Sequence, residues 1–214
     1  MAFIETTPVN DATGDVRAMY ERQQQSWGFV PNYAKVFCHR PEIMSLWASM
    51  LRGIRSHVDP RRFELVTLAA AHALRSSYCS LAHGKALTEH FSAEEIQAML
   101  GESDVPVESL TNAEVMMMAF ARKVVTGASR ITAGEVATLK SYGFTDAEIF
   151  DIASVAAARA FFAQLVESLG AEADASFLEI DDELRHTLAV GRPISFKAVE
   201  RVEAETVTLS FGRR

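Results

Sequence analysis

Glu64, Cys79 and His83 place a carboxylate, a thiol and an imidazole in one otherwise apolar stretch of the chain, Asp59 to His90. Cys79 and His83 are four residues apart, so on a helix they stand one above the other on a single face. A cysteine in the first turn of a helix meets backbone N–H groups and a dipole that favour negative charge, and the thiolate is the reactive form of the side chain. A nearby imidazole can accept the thiol proton, and a carboxylate can orient that imidazole or relay its proton. Singly, each residue also has a structural reading: Cys79 as a small hydrophobe, His83 as a satisfied structural histidine, Glu64 as a charge at a helix N-terminus.

The elements that must hold these residues are helical. Asp59-Pro60 reads as a helix start, an N-cap followed by a proline at the first helical position. Leu65, Leu68, Ala69, Ala71 and Leu74 then make a helix apolar nearly all round, expected at the centre of the protein. Ser76 or Ser77 can cap a second helix from about Tyr78 to His90, which puts Cys79 in its first turn. Upstream, one helix runs from Thr13 or Gly14 toward Trp27 and ends at Gly28, while Pro31 and Pro41 mark further starts. Downstream, four capping boxes begin at Ser92, Thr111, Thr132 and Thr145, each with Glu three residues on. The fold class expected is all-α, with a helical domain over 1–192 whose core motif is 59–90. Residues 193–214 read as an extended C-terminal arm, alternating apolar and polar residues from Val202 to Phe211 and set off from the body near Pro193. A faint echo aligns Glu64 with Glu148 and Arg75 with Arg159, as a degenerate repeat of one helical hairpin would.

Composition narrows the function classes. A net charge of -7 and the absence of a Lys/Arg cluster oppose nucleic-acid binding. Two cysteines are too few for a secreted disulfide framework, and the first residues lack the basic and apolar regions of a signal peptide, so a reducing, cytoplasmic location is expected. The apolar stretches are short and broken by charge, so no membrane span is expected. His72, His83 and His90 have no recognised ligand spacing, and neither a metal nor another cofactor is expected. The run Met116 to Met118 reads as core, or as the wall of an apolar pocket. So many apolar helix faces point to a homo-oligomer.

Glu64, Cys79 and His83, with Tyr78 before the cysteine and a small-residue helix after it, resemble the core of the carboxymuconolactone decarboxylase superfamily, on its AhpD-like alkylhydroperoxidase side. The segments GFVPNYAKVFCHRPEIMSLW and YGFTDAEIFDIASVAAARAF are similar to the flanks of that motif in peroxidase-related members, so the resemblance spans about residues 14–175. It implies an oligomeric helical bundle and a thiol peroxidase, with Glu64 as proton relay, Cys79 as the peroxide-reacting cysteine and His83 as the histidine that follows it. The family's first cysteine does not carry over: Ser76 holds its position, and Tyr78 stands where the well-studied AhpD enzymes have histidine. Peroxide attack would leave Cys79 as a sulfenic acid, to be reduced by Cys38, a cysteine of another subunit or an external thiol. Two alternatives stand beside this reading. One is a decarboxylase-type enzyme acting on a small lactone or carboxylate, with His83 and Glu64 in acid–base roles and Cys79 a bystander. The other is a non-catalytic oligomeric relative.

Overall fold

The computed structural model describes residues 2–101 and 107–203. Among the described residues the fold is all-α: α1 (Gly14–Trp27), α2 (Asn32–Val36), α3 (Pro41–Arg55), α4 (Pro60–Ala73), α5 (Ser77–Leu87), α6 (Ala93–Met99), α7 (Asn112–Gly127), α8 (Ala133–Ser141), α9 (Asp146–Ser168) and α10 (Asp182–Leu188), joined by short 3-10 turns.

The central helix is α4. The Asp59 carboxylate caps it by accepting from the Arg62 N–H at 3.1 Å, and Pro60 fills the first helical position, where no N–H is needed. From Phe63 to Ala71 every side chain except that of Glu64 is buried. The small residues Ala69, Ala70 and Ala71 let neighbouring helices come close, and α5, α7 and α9 all pack on this one helix. Glu64 is its only acid, so burying α4 on several sides carries that carboxylate inward with it.

The turn from α4 into α5 sets up the first turn that holds Cys79. Arg75 adopts a left-handed backbone, φ 55°, which is costly for a residue with a side chain, and the chain reverses there. Ser76 then caps α5, its hydroxyl accepting from the Cys79 N–H at 3.5 Å. Residues after α10 lock this elbow: the Gly191 N–H donates to the Ser77 hydroxyl at 2.7 Å, and a Cβ on Gly191 would lie 2.0 Å from the Arg75 carbonyl oxygen. Backbone cannot yield as a side chain does. Gly191→Ala is therefore expected to cost about 1–3 kcal/mol in stability, the usual range for overpacking. Urea denaturation checks it, with a lower midpoint expected and an unchanged midpoint contradicting the contact.

All four capping boxes form, each with both reciprocal hydrogen bonds: Ser92 with Glu95, Thr111 with Glu114, Thr132 with Glu135 and Thr145 with Glu148. Met117 and Met118 are core residues. The sequence echo does not extend to a second hairpin. Ala160 and Phe161 stand where the first copy has Ser76 and Ser77, so no side chain caps a break, and α9 runs unbroken through Arg159. By length and composition α9 could cross a membrane, but half of its most apolar stretch is buried inside this fold, where it packs on α3, α4 and α7.

Residues 193–203 are not detached from the helical body. Val30 and Glu200 form an antiparallel bridge, Ala173 and Ile194 a parallel one, and the Gln24 side chain bonds both backbone groups of Val202. Ile194 and Val202 are buried. Their apolar side chains give this segment a reason to lie on the body. Most of the alternating stretch, from 204 onward, lies outside the described residues.

Candidate active site

Cys79 and His83 share one face of α5 as their spacing requires, and both line a cavity of about 210 Å³. Four other helices complete its wall: α1 with Trp27, α2 with Tyr33, α3 with Trp47 and Leu51, and α9 with Arg159 and Phe162. Tyr78 and Ala82 of α5 close it. The rings interlock, Trp47 stacking on Phe162 at 4.4 Å between centroids and Tyr33 meeting both Tyr78 and Phe162 edge-on at 5.3 and 5.1 Å. The result is a mostly apolar chamber with a thiol, an imidazole and a guanidinium in its wall.

Glu64 reaches the chamber through His83. Its Oε2 lies 2.5 Å from His83 Nδ1, and its Oε1 lies 3.6 Å from the Arg55 guanidinium. Burial pushes the Glu64 carboxyl up, but the hydrogen bond and charge of His83, with Arg55 and Arg159 nearby, outweigh it and hold the group below its ordinary value. For His83, burial and then the Arg159 charge disfavour the imidazolium; Glu64 opposes them, and the ring remains below its ordinary value. At neutral pH the pair is therefore carboxylate and neutral imidazole. Nδ1 carries the proton it donates to Glu64, which leaves Nε2 as the basic nitrogen. Glu64→Gln removes the anion that favours imidazolium, so His83 becomes harder to protonate. Any rate that needs the neutral ring should keep its acid limb, falling below the ordinary histidine range in the wild type, but at lower pH in the variant. A pH–rate profile checks the sign, and a limb moved to higher pH would contradict it.

Arg159 has no counterpart in the sequence reading of the site. Its side chain is 4% exposed, held over the rings of Trp47 and Phe162 at 5.7 and 5.4 Å, and its Nη1 donates to Cys79 Sγ at 3.5 Å. Among the described residues its Nε has no hydrogen-bond partner and no carboxylate lies within ion-pairing distance of it. The signal was present in SVAAARAFFAQ, a lone cation inside an apolar helix.

Tyr78 lines the chamber, but its hydroxyl is engaged elsewhere, donating to Asp174 Oδ2, while the other oxygen of Asp174 accepts the Asn32 N–H at 2.9 Å. Burial pushes Asp174 up to about 6 despite those hydrogen bonds and the nearby Lys35. Burial first, then the Asp174 charge and hydrogen bond, push the Tyr78 phenol well above its ordinary range, so it stays neutral. Together Asp174 and Tyr78 tie α2, and with it the Tyr33 wall, to α5. Ser76 serves as the N-cap beneath Cys79. Cys38 lies in the turn after α2, buried, accepting from the Thr7 N–H at 3.3 Å, and does not line the chamber. The two cysteines form no disulfide.

The family model for carboxymuconolactone decarboxylases matches residues 41–109, a range that contains Glu64, Cys79 and His83. No curated protein matches the chain. Among solved structures, an uncharacterized peroxidase-related protein with an alkylhydroperoxidase AhpD core from Ralstonia eutropha JMP134 is similar at a TM-score of 0.66 and 21% identity, over 89% of this chain and 98% of that one. An uncharacterized peroxidase-related protein from Silicibacter sp. TM1040 is similar at 0.69 and 21%, over 83% and 94%. The debrominase Bmp8, in a complex with 2,3,4-tribromopyrrole, is similar at 0.68 and 16%, over 86% and 100%. The carboxymuconolactone decarboxylase model thus matches the part of the chain that carries the site residues, and the solved structures share its all-α fold.

Proposed function

We propose that the protein is a thiol-dependent oxidoreductase that reduces organic hydroperoxides through Cys79. The observation that carries this reading is the pairing of Cys79 with Arg159. A guanidinium buried in apolar surroundings is costly unless it faces an anion, and Cys79 Sγ, 3.5 Å away, becomes one when the thiol gives up its proton. Cys79 gives its proton to His83 Nε2, and the thiolate attacks the terminal oxygen of the hydroperoxide. The S–O bond forms as the O–O bond breaks, and the departing alkoxide takes the proton back from His83. The products are Cys79 sulfenic acid and an alcohol. With Ser76 in place of a local resolving thiol and Cys38 outside the chamber, two equivalents of an external thiol return Cys79 to the thiol, releasing water and a disulfide. Glu64 keeps the imidazole in the tautomer that can accept the proton.

One equivalent of an organic hydroperoxide, followed by a sulfenic-acid-trapping dione and peptide mass spectrometry, tests this directly. Label on Cys79 is expected; no label, or label on Cys38 alone, would overturn it. A second reading, in which the substrate is a halogenated aromatic as in Bmp8, draws support from the aromatic rings facing Cys79, and halide release in the presence of a thiol would favour it. The proposed location is the cytoplasm, and the proposed assembly is a homo-oligomer, supported by the exposed Leu46 of α3 and Phe150 and Phe161 of α9.

A further inference from the structure

Outside the chamber, between α1 and α3, lies a groove of about 600 Å³. Trp27, Tyr33, Trp47 and Leu51 line both spaces, so the groove and the chamber meet along shared apolar walls. The charged residues of the groove are Arg52 and Arg55, and no acid lines it. Arg55 already faces Glu64, but among the described residues Arg52 has only the Ser49 hydroxyl, at 3.5 Å, and no carboxylate lies within ion-pairing distance of it. In a chain whose net charge is -7, this is a local inversion of sign at the mouth of an apolar passage.

We infer that the groove takes an amphipathic carboxylic acid, its carboxylate at Arg52 and Arg55 and its hydrocarbon running inward over Trp27, Trp47 and Leu51. Built on the hydroperoxide reading of Cys79, this assigns the substrate class as a long-chain acid whose hydroperoxide lies several carbons from its carboxylate. Such a molecule matches the passage end to end. A charged head stays in the solvated groove, an apolar chain meets aromatic walls, and the O–O bond enters the chamber where Cys79, His83 and Arg159 converge. The chemistry is that already balanced, thiol plus hydroperoxide giving sulfenic acid plus alcohol, with the carboxylate unchanged. A ligand site of this kind, mostly apolar with a few polar groups that fix orientation, is the usual design for small molecules.

The chain's two tryptophans, Trp27 and Trp47, both line the shared wall, so intrinsic fluorescence reports on it directly. Oleate and methyl oleate, which carry no peroxide, can be titrated into the full-length protein below their aggregation concentrations. Oleate is expected to bind about five- to tenfold more tightly than the ester, the advantage that two exposed charge contacts give, and to lose that advantage in high salt or in Arg52→Glu. Arg52 is exposed and outside the catalytic set, and Arg52→Glu is expected to reduce tert-butyl hydroperoxide at the wild-type rate. Equal binding of acid and ester, or an Arg52→Glu variant that binds oleate as the wild type does, would overturn the inference. Because oleate binding needs no reaction at Cys79, an inert Cys79 with selective oleate binding would sink the peroxidase reading and leave the acid-binding groove standing.

Discussion

Cys79→Ser is expected to reduce hydroperoxide turnover to the uncatalysed rate of the thiol reductant alone. Serine keeps the size of the side chain but is a far weaker nucleophile toward peroxide oxygen and cannot form a sulfenic acid, so binding remains while the reaction is lost. Losing a nucleophile that acts as a unit with its base removes nearly all the rate the unit supplied. The same variant separates the competing chemistries. A decarboxylase that uses His83 and Glu64 for acid–base work would retain its activity without the thiol. Thiol-coupled consumption of an organic hydroperoxide checks the peroxidase arm, and a Cys79→Ser variant with wild-type turnover would contradict the proposed role.

Arg159→Met is expected to have the next largest effect, a loss of about 10²- to 10³-fold in the rate of peroxide attack, the range seen when one preorganised charge stabiliser is removed from a buried site. Methionine occupies similar volume and suits the contacts with Trp47 and Phe162, so the chamber should survive. What disappears is the cation at 3.5 Å from the sulfur. One consequence separates this from damage to the fold: alkylation of Cys79 at neutral pH should slow in parallel with turnover. Arg159→Lys keeps the charge on a different geometry and should recover part of the rate. An Arg159→Met variant that is folded and alkylates at the wild-type rate would show that the guanidinium does not support the thiolate.

Much of this site is local and therefore legible in the sequence. Asp59-Pro60, the Ser76 cap and the four capping boxes are decided within a few residues, and Cys79 and His83 share a face because four residues are about one helical turn. Glu64 stood out as the one acid in a helix too apolar to be solvated. The walls were not legible, because five helices contribute them and their pairing is tertiary. Arg159 is 80 residues from the sulfur it touches, and Tyr78 is 96 residues from Asp174. In isolation a tryptophan such as Trp47 reads as core, and only the approach of α9 to α3 and α5 makes it the wall of a chamber. Residues 193–203 lie on the body, although a short alternating segment with a proline carries no sign of the Gln24 and Val30 groups it meets.

The peroxidase reading requires that Cys79 react within the fold, although its side chain is buried among apolar residues. The most direct measurement is the rate at which iodoacetamide alkylates each cysteine of the native protein as a function of pH, read by mass spectrometry, with and without prior exposure to one equivalent of organic hydroperoxide. Cys79 is expected to react at neutral pH faster than a model thiol and faster than Cys38, and to be protected by the hydroperoxide until a thiol reductant is added. A Cys79 that stays inert until the protein unfolds, or that hydroperoxide fails to protect, would contradict it.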